Sequence, residues 1–431
     1  MRTLLIRAED KNIWEKRTPL IPADLADIIQ NTGVEAYVER SDRRVFGEAD
    51  YRAAGATTCA SMAPGGVILG IKEIPAEKIL PNKVYLFFSH TIKGQPGQMP
   101  LLKKIMASGS TLIDYEKIAD DRGRRLVYFG RFAGDAGALD ILALAGEYWR
   151  HHGIETPFRD CRRAHQYGSV EAARKHLRRI GRQIAENGLP AAVTPLVIGI
   201  LGYGNVSSGA QQIFECLPLE RVRPDALASI DRDPHKIYLC VFKEEHLVAH
   251  CDGEPFDLQE YYRHPERYRS RFARYLPYLT IVVNAVYWES RYPRFITWDN
   301  LAELFEGTNR PRLCAIADIS CDIGGAVECT VRATDSGMPA YLCDPLNRSV
   351  TDGHEGDGIV VLAVDNLPCE LPADASTFFS GQLKPFVPDI LKADYHASLD
   401  DCGLPPEIRR AVVVYNGKLT PSFEYLRRHL A

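Results

Sequence analysis

The sequence contains no C-x-x-C pair, no apolar run of membrane length, no low-complexity linker, no internal repeat and no excess of positive charge. Each absence excludes something. The eleven cysteines are scattered from Cys59 to Cys402. Cys314, Cys321 and Cys329 lack zinc-site spacing, so no structural metal is expected. An odd cysteine count without a framework suits a reducing compartment. No apolar stretch approaches the roughly 20 residues of a membrane span. The N-terminal run Leu4-Leu5-Ile6 is too short for a secretory leader and leads directly into Arg7 and Glu9. A cytoplasmic location without a membrane partner is therefore expected. The formal net charge is −4, the wrong sign for a nucleic-acid footprint. The basic pairs Arg124–Arg125, Arg162–Arg163 and Arg427–Arg428 are too short to reverse that.

What remains is an ordinary globular composition, 45% hydrophobic and 25% charged over 431 residues, long enough for two or three domains. Residues 2–8 read as a short strand, residues 22–32 as a helix, and Val34–Glu39 as a second strand. Val67–Ile71, Val84–Ser89 and Thr111–Tyr115 are continuous apolar runs, the pattern of strands buried on both faces. Helical patterns fall at 137–150 and 169–187. Pro195–Leu201, Ile237–Phe242, Leu279–Val286 and Leu313–Ile319 are further strand candidates, and the polar, aromatic tract 254–275 reads as an insertion. Alternating strands and helices predict an α/β protein with parallel sheets. Ligands of such sheets sit beyond the carboxyl ends of strands. Lys72, His90 and Glu116 each fall just past one such end.

The strand ending at Leu201 enters Gly202-Tyr203-Gly204-Asn205-Val206-Ser207-Ser208-Gly209, with a helix expected over Ala210–Leu217. A strand, a G-x-G turn and a helix make a site for a dinucleotide pyrophosphate. The first glycine permits the turn, the second lets phosphate approach the backbone, and the helix N-terminus meets the charge. Ser207 stands where the usual third glycine would be, so the turn alone is also compatible with a purely structural role. Gly202, Gly204, Asn205, Val206 and Ser207 are the candidate cofactor contacts. Glu244, past the next strand, suits a free ribose 2′-hydroxyl and favours NAD(H). Arg232, His235 and Lys236 in the preceding loop would suit the 2′-phosphate of NADP(H).

Singly, a lysine, histidine or glutamate after a strand is usually solvated or a packing residue. Three in one domain, Lys72-Glu73, His90 with Lys93, and Glu116, are a constellation. The runs Arg7–Asp10, Trp14–Leu20, Phe87–Lys93, Leu112–Lys117, Gly204–Ser207, His264–Tyr268, Asp318–Ser320 and Val364–Pro368 resemble lysine:2-oxoglutarate reductase, the lysine-forming saccharopine dehydrogenase. They look especially like the reductase half of bifunctional aminoadipate-semialdehyde synthase and, more distantly, like alanine dehydrogenases. The synthase's fused saccharopine-oxidising half has no expected counterpart before Ala431.

The resemblance implies two Rossmann-like domains with an interdomain active-site cleft. Residues 1–135 plus 345–431 would form the substrate domain, and 136–344 the dinucleotide domain. It implies Lys72 and His90 as the acid–base pair and Arg17 as a carboxylate binder. Glu73, Lys93 and Glu116 would line or tune the site, and Arg125 and Asp318 would lie in the cleft. The implied substrates are L-lysine, 2-oxoglutarate and saccharopine; the oligomeric state stays open.

The chemistry needs such groups. An amine with an ordinary pKa near 10.4 arrives protonated and must lose a proton before attacking an oxo carbon. The carbinolamine then needs a proton donor to lose water. Histidine suits this near neutrality. Lysine joins only if burial or a neighbouring cation lowers its pKa, a part expected of Lys93 and Arg17, opposed by Glu73 and Glu116. Three carboxylates on saccharopine ask for several cations, with Arg17, Lys93 and Arg125 as candidates. Two other readings stand beside this one: an opine or amino-acid dehydrogenase with a different amine, and a catalytically silent dinucleotide-binding regulator.

Overall fold

The structure is a computed structural model that describes residues 3–306 and 311–430. The chain divides into two compact units. One comprises the residues up to Phe129 together with those from Pro372 onward; the other runs from Gly130 to Leu371.

The first unit begins with β1 (Leu4–Ile6), α1 (Pro22–Thr32), β2 (Ala36–Glu39), α2 (Glu48–Ala53) and β3 (Thr57–Cys59). It continues with β4 (Val67–Leu69), β5 (Val84–Phe87), α3 (Met99–Ala107) and β6 (Thr111–Asp114). Residue 2 of the expected first strand lies outside the described residues.

The second unit holds α4 (Gly130–His151), α5 (Val170–Asn187), β7 (Leu196–Leu201), α6 (Asn205–Phe214), β8 (Leu219–Val222) and β9 (Ile237–Phe242). Next come α7 (Glu244–Leu247), β10 (Val248–His250), α8 (Leu258–Arg263), β11 (Tyr268–Ser270), β12 (Ile281–Asn284), α9 (Trp298–Glu306) and β13 (Ala315–Asp318). Strands β14 (Ala340–Asp344), β15 (Ser349–Asp352) and β16 (Ile359–Leu362) complete it. The chain then returns to the first unit with α10 (Pro372–Leu383), α11 (Val387–Lys392), α12 (Pro406–Arg409), β17 (Val412–Tyr415) and β18 (Lys418–Leu419).

The boundaries therefore fall at 129/130 and 371/372 rather than at 135/136 and 344/345. The reason is physical: β14 and β16 pair with each other, and β16 pairs with β13, so they cannot leave the second sheet.

The first sheet runs β18-β17-β6-β5-β4-β1-β2-β3. Its strands β1 to β6 are parallel, and β17 closes one side antiparallel to β6. Strands β1, β4, β5 and β6 are buried along their whole length, as their unbroken apolar runs require when helices cover both faces. The second sheet runs β15-β14-β16-β13-β12-β7-β9-β8, with β14 antiparallel to both neighbours.

In each sheet the strand order reverses beside the first strand, between β1 and β4 in one and between β7 and β12 in the other. Such reversals open a crevice at the carboxyl ends, where ligands of open α/β sheets bind.

The tract 254–275 is not a detached insertion. Strand β11 pairs antiparallel with β10, and Tyr261, Tyr268 and Phe272 enter the same core as Phe242 and Tyr275. Helix α6 starts at Asn205 rather than Ala210, with Gly204 as its N-cap. It crosses α4 at van der Waals limits: a Cβ on Gly134 would stand 1.9 Å from Val206 O, and one on Gly209 would stand 2.1 Å from Arg131 O. Gly209 therefore serves the close helix–helix approach. Among the described residues no helix is long and apolar enough to cross a membrane, and no group of histidine, cysteine and acidic residues could hold a metal ion.

Candidate active site

The carboxyl end of the first sheet concentrates charge. Past β1, Arg7 is buried and faces Glu9 and Asp10 at 3.5 and 2.5 Å. Glu9 is also buried, and its two oxygens accept the backbone N–H groups of Ile71 and Lys72 at 2.7 and 3.0 Å. It thus fixes the turn leaving β4. Burial raises the Glu9 carboxyl above the usual range, against the lowering effect of Arg7. Gly70 is needed there, because a Cβ would meet the Arg7 side chain at 2.8 Å.

Lys72 follows, partly buried. Burial pulls its ammonium down to about 8, helped by the nearby charges of Arg17 and Lys11 and opposed by Glu15 and Glu73. The expected cation Lys93 is not among these causes; it lies exposed on the loop after β5. Glu73 meets Lys11 at 3.4 Å and His90 Nδ1 at 3.2 Å. Burial pushes the Glu73 carboxyl up, but the contact with His90 and the charge of Lys11 outweigh it and hold it at about 2.

His90 takes φ 54°, the left-handed region, which is uncommon for a residue with a side chain and collects at functional sites. The loop that imposes this is tied down. Buried Asp114 accepts from the backbone N–H of Ser89 at 3.1 Å and from the Ser89 hydroxyl. Its other oxygen accepts from Glu116 N at 2.8 Å. One carboxylate thus positions the turns after β5 and β6 together.

Arg17 is not an open carboxylate receptor. It is buried, its Nε and Nη2 bond both oxygens of Glu15 at 2.8 and 2.6 Å, and it stacks on Phe129 at 4.3 Å. Arg125 and Glu116 pair with each other at 2.8 Å near the surface. So the first unit brings Glu73 and His90 into contact next to Lys72, adds Arg17 through the field on Lys72, and sets the Glu116–Arg125 pair in the turn after β6, which Asp114 ties to the turn after β5. Glu9, Lys11, Glu15 and Asp114 received no role from sequence reasoning. The signal existed: Arg7–Glu9–Asp10 follows β1 as Lys72–Glu73 follows β4.

In the second unit, Gly202 has φ 94° and donates its N–H to Phe242 O at 2.9 Å. A Cβ there would stand 3.0 Å from Ala285 O, at the strand-order reversal. Helix α6 starts at Asn205, and its N-cap Gly204 supplies no side-chain cap; Gly204 and Asn205 are exposed, Val206 is partly buried, and buried Ser207 accepts from Gln211 at 2.9 Å. Uncapped backbone N–H groups behind an unobstructed glycine fit a pyrophosphate. Glu244 lies just past β9, where Tyr262 donates to its Oε1 at 2.8 Å.

The alternative cations are misplaced for that end. Arg232 bonds Thr194 O at 2.9 Å, just before β7, and Lys236 meets Glu220 at 2.9 Å, just before β9. They stand at the amino ends of strands, about 20 Å away along six residues. Asp318 also differs from expectation. It is 1% exposed and accepts from Asn284 and Thr330 at 2.8 and 2.5 Å. Burial lifts its carboxyl to about 6. It ties β12 to β13, with no surface left to bind a substrate.

Comparison with known proteins agrees with this architecture. The alanine dehydrogenase/PNT N-terminal domain matches residues 5–136, and the corresponding C-terminal domain matches residues 265–422. An L-alanine dehydrogenase structure superposes with TM-score 0.63 at 17% identity, covering 100% of both chains. A transhydrogenase from Sinorhizobium meliloti gives 0.59 at 13% identity over 97% of this chain. At these identities the likeness concerns the fold. The alpha-aminoadipic semialdehyde synthase of Arabidopsis thaliana is 38% identical over 98% of this chain but only 41% of its own length. The mitochondrial enzyme of Bos taurus is 36% identical over 99% of this chain and 47% of its own. The chain thus spans less than half the length of these relatives. A saccharopine dehydrogenase [NAD(+), L-lysine-forming] from Neurospora crassa is 28% identical over 89% of each chain. Residues 5–136 and 265–422 therefore carry the N-terminal and C-terminal domains of the alanine dehydrogenase/PNT family.

Proposed function

We propose that the protein is an NAD(H)-linked oxidoreductase that condenses L-lysine with 2-oxoglutarate to saccharopine, or runs the reverse reaction. The observation that carries this is the lowered ammonium of Lys72, which follows β4, next to the Glu73–His90 pair at the end of adjacent β5. The names of the relatives point the same way.

Neutral Lys72 takes a proton from the substrate ammonium, freeing the amine to attack the oxo carbon. The same residue is populated in both forms near neutrality because its pKa sits near 8. Glu73 engages His90 at Nδ1, which leaves Nε2 to deliver a proton to the departing oxygen as water forms. A bound reduced nicotinamide dinucleotide would supply hydride to the imine carbon. Gly202, Gly204, Asn205 and Val206 would hold its pyrophosphate, and Glu244 its adenine ribose. Arg17 and Arg125 each carry a carboxylate partner, Glu15 and Glu116; Arg125, at the surface, and Lys93 would meet substrate carboxylates. The reading includes a cytosolic location, although mammalian relatives are named mitochondrial; localising the tagged protein tests it.

The test of function is an absorbance trace at the nicotinamide band with lysine and 2-oxoglutarate, each omitted in turn. Oxidation of NADH that requires both substrates supports the proposal. Oxidation with another amine identifies a different opine or amino-acid dehydrogenase. NADH binding without turnover under any pairing marks a silent regulator and overturns it.

A further inference from the structure

The loop that follows β5 is gripped at both of its ends. Asp114 accepts the N–H and the hydroxyl of Ser89, just before His90. The far end is taken by the helical turns Pro421–His429. Tyr425 donates its hydroxyl to Ile92 O at 2.6 Å. The His429 ring covers Gly94: a Cβ there would stand 2.5 Å from Cδ2 and 2.6 Å from Nε2. Gly94 has φ 68° and donates to Thr91 O at 2.9 Å, closing the turn. The grip has a firm base. Phe423 and Leu426 are buried, and Thr420 donates its hydroxyl to Val412 O and its N–H to Val413 O at 2.7 and 3.1 Å. These are residues of β17, which pairs with β6, the strand that ends at Asp114. Tyr425 is 43% exposed, so its ring is not there to fill the core.

We infer that Tyr425 is a positioning residue: by holding Ile92 O it keeps the loop after β5 in the one conformation from which His90 transfers a proton. This rests on the reading of His90 as a proton carrier. His90 sits at φ 54°. A residue with a side chain persists in that region only where its surroundings over-determine it. Asp114 fixes Ser89, and the Ser89 hydroxyl meets that of Thr91 at 2.7 Å; both contacts come before Ile92. The bond from Tyr425 and the cover of His429 fix the return of the loop. Released at Ile92 O, the loop relaxes back through Thr91 and His90 towards negative φ. Nδ1 then leaves its place 3.2 Å from Glu73, and Nε2 loses its aim. A proton carrier works only within hydrogen-bond reach. In Tyr425→Phe the ring remains beside Phe423, and only the bond to the loop is gone.

The experiment compares the full-length wild type, Tyr425→Phe, His90→Gln and the double variant by kcat and by hydrogen–deuterium exchange. A hydrogen bond of this kind biases a local equilibrium about two- to tenfold. Tyr425→Phe should therefore lower kcat by about that factor. Amide exchange over residues 88–96 should quicken to a similar degree, while the rest of the chain keeps its rates. In the His90→Gln background Tyr425→Phe should cost no further kcat, because the hydroxyl acts through His90. An equal loss in both backgrounds, or unchanged exchange over 88–96, overturns the inference and leaves the reading of His90 standing. Wild-type turnover in His90→Gln overturns that reading, and the inference with it. If Tyr425→Phe quickens exchange along the whole chain, folding is lost; His429→Ala, which uncovers Gly94 and spares the Tyr425 bond, then carries the same two expectations and the same refutations.

Discussion

His90 Nδ1 stands 3.2 Å from Glu73 Oε2, and the same carboxylate acts on its chain neighbour Lys72 as a charge that raises the ammonium's pKa. One side chain therefore orients one proton carrier and tunes the other.

Glu73→Gln separates these effects. Removing the charge that raises Lys72 should move the Lys72 limb of the pH–rate profile below its value near 8. It should also alter acid stability. The Glu73 carboxyl is depressed in the folded protein from 4.5 to about 2, so its stabilisation is fully present above pH 4.5 and is lost as pH falls through about 2. Denaturant midpoints measured across that window should fall more steeply for wild type than for Glu73→Gln. Parallel curves would contradict the pairing.

Arg17→Ala should act through the field and the fold. Arg17 lowers Lys72, so the kinetic limb should climb from about 8 towards 10.5. The substitution also strips buried Glu15 of its forked partner, a change that typically costs about 3–5 kcal/mol and is read by chemical denaturation. A rise in KM alone, with the pH profile and stability intact, would show instead that Arg17 holds substrate.

The helix crossing in the second unit gives a structural control. Gly134→Ala and Gly209→Ala place a methyl 1.9 and 2.1 Å from backbone oxygens. Overpacking costs about 1–3 kcal/mol or more, so both should lower Tm clearly. Gly204→Ala meets nothing within 4 Å and has φ −77°. It should leave Tm nearly unchanged while weakening dinucleotide binding, because the methyl stands where phosphate approaches.

Much of this was legible in the chain. Buried parallel strands announce themselves as unbroken apolar runs, and Lys72, His90 and Glu116 do fall just past the carboxyl ends of β4, β5 and β6. Burial of charge was not legible. Arg17 and Asp318 look like available ligands in sequence, yet each is spent on a neighbour, Glu15 in one case and Asn284 with Thr330 in the other. Spacing along the chain also did not point to Lys11, which acts on Lys72 together with Arg17. The 254–275 tract reads as an insertion because it is polar and aromatic, and only tertiary packing shows Tyr262 reaching Glu244.

The central claim is that Lys72 and His90 exchange protons with the substrate. The most direct measurement is the pH dependence of kcat/KM for wild type, Lys72→Met and His90→Gln, with NADH affinity measured alongside. The account predicts a wild-type limb near pH 8 that belongs to Lys72 and disappears in Lys72→Met. His90→Gln should keep the limb near pH 8 while losing turnover. Each variant should lose about 10²–10⁴-fold in kcat, with NADH binding nearly unchanged. Wild-type turnover in both variants, with the limb near pH 8 kept in Lys72→Met, would contradict it.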